Sequence, residues 1–368
     1  MNFSSSNSEN HLTEIAPNSI PKLPDDVVIE ILTRLPAKPL LKFRCVCKSW
    51  LSIISSHQFI KTHLTNSKKD PNFTHHRIML NWRANLKHCS ARSLLYEPFT
   101  ETFSTDFTSQ SSKNSIWVLG SCDGLICLAI DKKELILWNP TTRIFKTLPD
   151  FGVKTSFRSN FAYGLGFDKS SDDYKVVGFF NSSRDFSEVI GKVYSLKADQ
   201  WKTIKSFKSR WLMDDPATFV NGKLYWIANS DAELKCGWDI AFFDLATEEY
   251  GFLEMPSYVK SGFYSRLGVS QGCLFVMCCH AMSADVWIMN GSGIWTNVVS
   301  IPCVDDFMRY NYKKALYVTE NGEVVLICGS KIVIFDAKAC SFRYPEMRNA
   351  GELFAASAYF ESLVSPLG

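Results

Sequence analysis

The chain has 368 residues, 46% of them hydrophobic and 14% aromatic, which is ample for a large core and too apolar for a disordered chain. Its 40 basic residues stand against 37 acidic ones, and a net charge of +3 excludes the electrostatic footprint expected of a nucleic-acid binder or a polybasic membrane surface. No run approaches the roughly eighteen apolar residues of a membrane-spanning helix, and the polar opening MNFSSSNSENHLTEIAPNSI has no apolar stretch of the signal-peptide kind.

In chain order, residues 1–20 read as a disordered arm and residues 21–65 as a compact helical block. Pro24 suits the start of a helix, and Asp25 and Asp26 put negative charge at the positive end of its dipole. Val27, Ile31 and Leu35 recur at four-residue spacing with Val28 and Leu32 beside them, so one face is expected to be apolar, and Pro36 ends the helix. Pro39 is expected to open a second short helix carrying Leu40, Leu41 and Phe43. A third runs through Cys47, Trp50, Leu51 and Ile54, and a fourth holds Phe59, Ile60 and Leu64. So small a block cannot bury this many large apolar groups alone. The residues leave two readings open, a docking surface for a partner or a helical lid on the domain that follows.

The run from Leu23 to Trp50, with Leu23-Pro24 opening the first helix, Leu35-Pro36 closing it and Val46-Cys47-Lys48-Ser49-Trp50 in the third, resembles the F-box. The resemblance implies binding to a Skp-family adaptor and, through it, to the cullin and RING subunits of a ubiquitin ligase. Carried over residue by residue, it assigns Leu23, Pro24, Ile31, Leu35, Pro36, Val46, Cys47 and Trp50 to contacting or supporting the adaptor interface.

Residues 66–74, NSKKDPN with its flanks, read as a linker. From about His75 the chain changes to short runs rich in Val, Ile, Phe, Tyr and Trp separated by turn residues. Turn dipeptides at Asp123-Gly124, Asp172-Asp173, Asn221-Gly222, Gln271-Gly272 and Asn321-Gly322 are 49, 49, 50 and 50 residues apart, and a further step back lands on His75. Aromatic pairs recur within each copy: Tyr96 and Phe103, Trp138 and Phe145, Tyr194 and Trp201, Phe243 and Tyr250, Trp287 and Trp295, Phe335 and Phe342. They are seven residues apart, except for eight between Trp287 and Trp295. Each pair reads as two strands joined by a hairpin.

Four short strands repeated at a period near fifty point to a β-propeller blade, and the blade count is expected to be six. The first copy lacks a strand ahead of it while LFAASAYFESLV at 353–364 is surplus, so the C-terminal strand is expected to complete the first blade and lock the ring. The fold class expected is α+β multidomain: a small all-α domain, then an all-β propeller over residues 75–368. SCDGLICL, LWNPTTRIFKTLP, YGLGFDKSSDDYKVV and YFESLVS resemble the F-box-associated domain of the plant F-box and F-box/kelch families, although the chain lacks the consistent Gly-Gly pairs of a kelch pattern.

No convergent set of nucleophile, base and metal ligands is present, so no enzyme activity, cofactor or metal is expected. Gly164-x-Gly166 lacks the third glycine of a dinucleotide site, and His75-His76 is expected to play a surface role. The twelve cysteines show no zinc-ligand spacing and sit largely in apolar runs, which suits a reducing intracellular compartment, cytoplasm or nucleus. The function expected is a substrate receptor of a Skp-cullin-F-box ligase. The alternatives are a propeller enzyme or small-ligand receptor with a helical cap, and a non-degradative scaffold. The spacing from turn dipeptide to next aromatic is 21 residues in the third and fourth copies but 13 in the last, and longer loops on a rigid ring are where binding usually lives. Arg184, Asp185, Phe186, Asp231 and Trp238 are therefore expected to border the surface that captures a target protein.

Overall fold

The computed structural model describes residues 23–82, 85–107, 115–131, 134–153, 160–181, 189–204, 216–229, 238–256, 264–280, 282–303, 312–351, 353 and 355–368. Four helices come first: α1 (Asp25–Thr33), α2 (Ala37–Phe43), α3 (Lys48–Ser55) and α4 (His57–Lys68). Pro24 caps α1 from outside, and Pro36, besides ending α1, caps α2. Pro39 falls inside α2 rather than opening it. It is tolerated as the third residue because the N–H it lacks is one of the unpaired donors of a first turn. Cys47 and Ser56 cap α3 and α4 through side-chain bonds from the N–H groups of Trp50 (3.5 Å) and Phe59 (3.2 Å). Leu32, Ala37, Leu40, Ile54 and Phe59 close over one another as the core of this domain.

The helix α4 continues to Lys68, through residues expected to be linker. What remains is a built turn, in which the Asp70 carboxylate accepts from the N–H groups of Asn72 (3.0 Å) and Thr74 (2.8 Å). Blade 1 then opens with β1 (His76–Trp82), β2 (Asn85–Ser90), the short helix α5 (Ala91–Tyr96) and β3 (Phe99–Ser104). Blade 2 holds β4 (Ile116–Cys122), β5 (Leu125–Ile130), β6 (Glu134–Asn139) and β7 (Ile144–Thr147). Blade 3 holds β8 (Asn160–Asp168), β9 (Asp173–Asn181), β10 (Val189–Ser195) and β11 (Gln200–Ile204). In blade 4 are β12 (Thr218–Val220), β13 (Lys223–Asn229), β14 (Trp238–Asp244) and β15 (Tyr250–Leu253). Blade 5 has β16 (Tyr264–Ser270), β17 (Cys273–Cys279), β18 (Ser283–Met289) and β19 (Trp295–Pro302). Blade 6 has β20 (Tyr312–Val318), β21 (Glu323–Cys328), β22 (Lys331–Asp336) and β23 (Ser341–Arg343), followed by β24 (Glu346–Arg348) and β25 (Ala355–Phe360).

Blades 2 to 6 are four-stranded antiparallel meanders. In blade 1, β25 pairs antiparallel with β1, from His76 opposite Phe360 to Asn81 opposite Ala355, so the last strand closes the ring as expected. The innermost strands β25, β4, β8, β12, β16 and β20 touch in that order and return to β25. Closure leaves no free inner edge. The observed strand is shorter than 353–364, and the residues after Phe360 leave the sheet. A three-residue strand that the sequence does not announce, β24, joins blade 1 in parallel with β3.

Six apolar cores lie between neighbouring blades, one at each joint. This explains why LICLAI and EVVLIC are apolar throughout instead of alternating. Leu125, Cys127 and Ala129 of β5 face blade 3, while Ile126, Leu128 and Ile130 face blade 1. Likewise Val325 and Ile327 of β21 face blade 1, while Val324 and Leu326 face blade 5.

Both residues of Asp123-Gly124, Asn221-Gly222 and Gln271-Gly272 take positive φ, between 48° and 86°, which gives two-residue hairpins between first and second strands. Four of the aromatic pairs stand directly opposite across the third and fourth strands: Trp138 and Phe145, Tyr194 and Trp201, Phe243 and Tyr250, Phe335 and Phe342. In blade 5 the pair is not opposite: the turn runs from Met289 to Trp295, which face each other, and Trp287 faces Asn297. Blade 1 departs altogether. The helix α5 replaces its hairpin turn, so Tyr96 is helical and Phe103 faces His88.

A turn signal that the aromatic spacing hides accompanies these hairpins. Asn139, Asp244, Asn290 and Asp336 each accept N–H bonds from residues two to four positions on, and Arg143, Glu248, Gly293 and Cys340 adopt positive φ where the turn ends.

Candidate functional site

Helix α1 carries two apolar rows. Val28, Leu32 and, just past the helix, Leu35 turn inward onto the helical core. Leu23, Val27 and Ile31, four residues apart, face solvent at 57%, 39% and 48% exposure. Val46 and Leu51 add open apolar surface at the start of α3, at 60% and 47%. Concentrating this much branched aliphatic surface in one small domain makes it the candidate contact surface.

Of the eight residues singled out in this block, Leu23, Pro24, Ile31, Val46 and Cys47 are exposed. Leu35, Pro36 and Trp50 are half-buried. Leu35 does not continue the row of Val27 and Ile31, because the helix stops at Thr33 and the turn swings it inward. Trp50 packs edge-on against Phe43, with ring centres 5.6 Å apart. Val27 and Leu51 are also open to solvent although neither was among the residues singled out, and Val27 lies at helical spacing between Leu23 and Ile31.

Helix α4 of the same domain is packed on the propeller, so this block is at once a lid and an exposed face. Leu64 of α4 enters the core between blades 2 and 3, with Ile60 packed beside it. Lys68 pairs with Asp123, and Asp172 draws in Lys61 (3.3 Å), His57 (3.6 Å) and Lys197 (3.5 Å). Deeper in, the carboxylate of Glu361 lies 2.9 Å from Arg77 Nε and 3.5 Å from Lys38 Nζ.

His75 and His76 correct an expectation, since neither has a surface role. Both are buried, His75 at this joint, where its ring meets that of His63 edge to face at 5.6 Å, and His76 among Phe73, Tyr317 and Phe360. His63 Nε2 lies 2.8 Å from the Leu35 carbonyl oxygen, which can only accept, so this nitrogen carries the proton. Burial pushes the pKa of His63 and of His75 down, and that of His76 down to about 4. Among the described residues no group of three or more His, Cys, Asp or Glu is placed to hold a metal ion.

Arg184, Asp185, Phe186 and Asp231, expected at a target surface, lie outside the described residues. Trp238 is the first residue of β14, opposite Asn229, and is half-buried against the core between blades 4 and 5. It sits at the end of the propeller away from the helices, because β13 starts at the Asn221-Gly222 turn, which corresponds to the Asp123-Gly124 turn that meets α4. A cavity of about 440 Å³ between blades 4 and 5 is lined by Leu253, Met255, Pro256, Trp287, Met289 and Trp295. Trp295 Nε1 donates to the Glu254 carbonyl (3.1 Å) here, as Trp201 Nε1 does to Pro149 (2.7 Å) between blades 3 and 2. The repetition marks a joint between blades. Among the described residues no helix is long and apolar enough to cross a membrane.

Fold and surface together define a propeller protein with a docked N-terminal helical domain whose outer face is apolar. The profile of the F-box domain matches residues 20–62, and that of the F-box associated beta propeller domain matches residues 77–360. Among relatives, the F-box/kelch-repeat protein At3g23880 of Arabidopsis thaliana is 33% identical over 364 residues, covering 94% of this chain and 96% of that protein. The F-box protein CPR1 of the same plant is 27% identical over 383 residues, covering 93% and 88%. The chain belongs to the family of F-box proteins that carry an F-box associated β-propeller.

Proposed function

We propose that this protein is the substrate receptor of a Skp-cullin-F-box ubiquitin ligase inside the cell. The observation that carries the reading is the solvent-facing row Leu23, Val27 and Ile31, with Val46 and Leu51 also open on the same small domain, whose α4 is already packed on the propeller. A Skp-type adaptor covers this row, and cullin and RING subunits follow through the adaptor. Lys42 and Lys48 are exposed on the same domain, and they suit an acidic rim on the partner. The target docks at the far end of the propeller, where Trp238 lies. No chemistry is then required of this chain. Holding target and ubiquitin-loaded enzyme in one assembly raises their effective concentration, and that is its contribution to rate.

Co-purification with a Skp-type adaptor tests the first half, comparing the full chain with Ile31→Asp. Binding by the wild type that is lost in the variant, with unchanged β-sheet circular dichroism, is the result expected. No binding by the wild type would overturn the docking assignment. Reconstituted ubiquitin transfer to a captured protein tests the second half, and adaptor binding without transfer to any captured protein would make the chain a non-degradative scaffold.

A further inference from the structure

After β25 the chain crosses from the propeller into the helical domain, and residues 361–364 send successive side chains to different places. The Glu361 carboxylate bridges Arg77 of blade 1 and Lys38 of α2, while its N–H donates to the His75 carbonyl (2.9 Å). Ser362 is buried against the Asp123-Gly124 turn, so tightly that a Cβ on Gly124 would overlap its hydroxyl. Leu363 joins Leu32, Leu40, Ile54 and Phe59 in the helical core, and Val364 joins Leu64 in the core between blades 2 and 3. One four-residue stretch is therefore part of both hydrophobic interiors.

Asn139 grips that stretch. It ends the third strand of blade 2, as Asp244 and Asp336 do in blades 4 and 6, and its Oδ1 closes the hairpin turn by accepting from Thr141 N–H (2.8 Å). An aspartate serves that purpose equally well. Only an asparagine also has a donor, and Nδ2 donates to the carbonyls of Ser362 (3.2 Å) and Val364 (2.7 Å), with the Ser362 hydroxyl at 3.3 Å. The residue is fully buried.

We infer that residues 361–364 are a latch that fixes the orientation of the F-box face relative to the propeller, with Asn139 as the positioning residue that holds the latch shut. Without it the domains share the short connection after Lys68, the Leu64 and Ile60 contacts, the edge-to-face pair of His63 and His75, the pair of Lys68 with Asp123, and ion pairs such as Lys61 with Asp172 that are too exposed to hold an angle. A fixed angle sets where a target on the far end of the propeller stands relative to the adaptor. The latch itself stands independently of the ligase reading, while its consequence for ubiquitin transfer rests on that reading.

The test uses the full chain with fluorophores placed at Gln58 and Lys331 through non-natural residues, read by single-molecule energy transfer. Asn139→Asp keeps the turn acceptor but removes the donor and sets a negative charge against two carbonyls. Leu363→Ala loosens the latch from the helical side and leaves the blades untouched. Leu363→Ala is expected to keep the propeller's melting temperature, whereas Asn139→Asp, which buries a charge in blade 2, is expected to lower it; both should bind the Skp-type adaptor within about twofold of wild type, while amide exchange in α3 and α4 rises about tenfold or more. The inter-label distance distribution should broaden, and a purely structural weakening of the blades would not produce that. If Asn139→Asp unfolds the propeller, Leu363→Ala decides alone. A distribution as narrow as wild type in a folded Leu363→Ala chain would overturn the latch. Absence of adaptor binding in the wild type would count against the ligase reading and leave the distance result standing.

Discussion

Truncating Ile31 and its neighbour Leu32 to alanine should separate binding from stability within a single turn of α1. Ile31 is 48% exposed and Leu32 is 1% exposed, one facing outward and the other in the helical core. Fully burying an aliphatic side chain of this size is worth about 1.5–3 kcal/mol, so the open half of Ile31 is worth about 1 kcal/mol or slightly more to a partner that covers it. That corresponds to a five- to tenfold rise in Kd, at about 1.4 kcal/mol per factor of ten. Leu32→Ala instead removes packed atoms and leaves a cavity, costing roughly 2–5 kcal/mol of helical-domain stability. Calorimetric titration against a Skp-type adaptor gives the first number, and urea unfolding followed at 222 nm gives the second. Equal losses of stability in the two variants would show that Ile31 is a packing residue. An unchanged Kd in Ile31→Ala would remove α1 from the interface.

Acid should weaken the chain where the connection enters blade 1. His76 sits among Phe73, Tyr317 and Phe360 with its pKa lowered to about 4 by burial, and His63 and His75 are also shifted down. The unfolded chain takes up these protons near pH 6.5, so this stability is complete above about 6.5 and is lost as pH falls toward 4, with His76 alone accounting for roughly 3 kcal/mol. Urea midpoints measured across that window should fall with acidity, and His76→Phe, which gives up no hydrogen bond in this aromatic setting, should flatten the slope. Glu361→Gln should cost roughly 1–3 kcal/mol by leaving Arg77 without its charge partner, read as a lower thermal midpoint. Gly124→Ala and Gly222→Ala put the same strain on similar backbones, with φ of 86° and 83°, but only the first meets Ser362 and the Phe360 carbonyl. The first should destabilise the chain by at least about 1 kcal/mol more than the second, and equal effects would contradict the close seat of the tail.

The order of the helices and the number of blades were legible in the sequence because they rest on local chemistry. Proline and acidic residues mark the start of α1, left-handed turn dipeptides mark the hairpins, and aromatic residues seven apart mark strands that face each other across a turn. The surplus C-terminal strand was legible by counting alone. Where a local signal was borrowed for another purpose the reading failed: Tyr96 has the right spacing but belongs to α5, inserted where the other blades have a turn. The three residues of β24 are too few for alternation to show.

By itself the sequence determined that an F-box is followed by six repeats of a β-meander, and that the helical block is too apolar to stand unpartnered. Tertiary structure decided which apolar residues stay open, turning Leu35 and Trp50 inward while leaving Leu23, Val27 and Ile31 outside. It also decided that His63, His75, Glu361 and Asn139 meet at one joint, although Asn139 and the tail it holds are more than two hundred residues apart in the chain. Periodicity reports only neighbours along a strand or helix. Which surfaces a closed ring and its returning C-terminus bring together depends on the ring being closed.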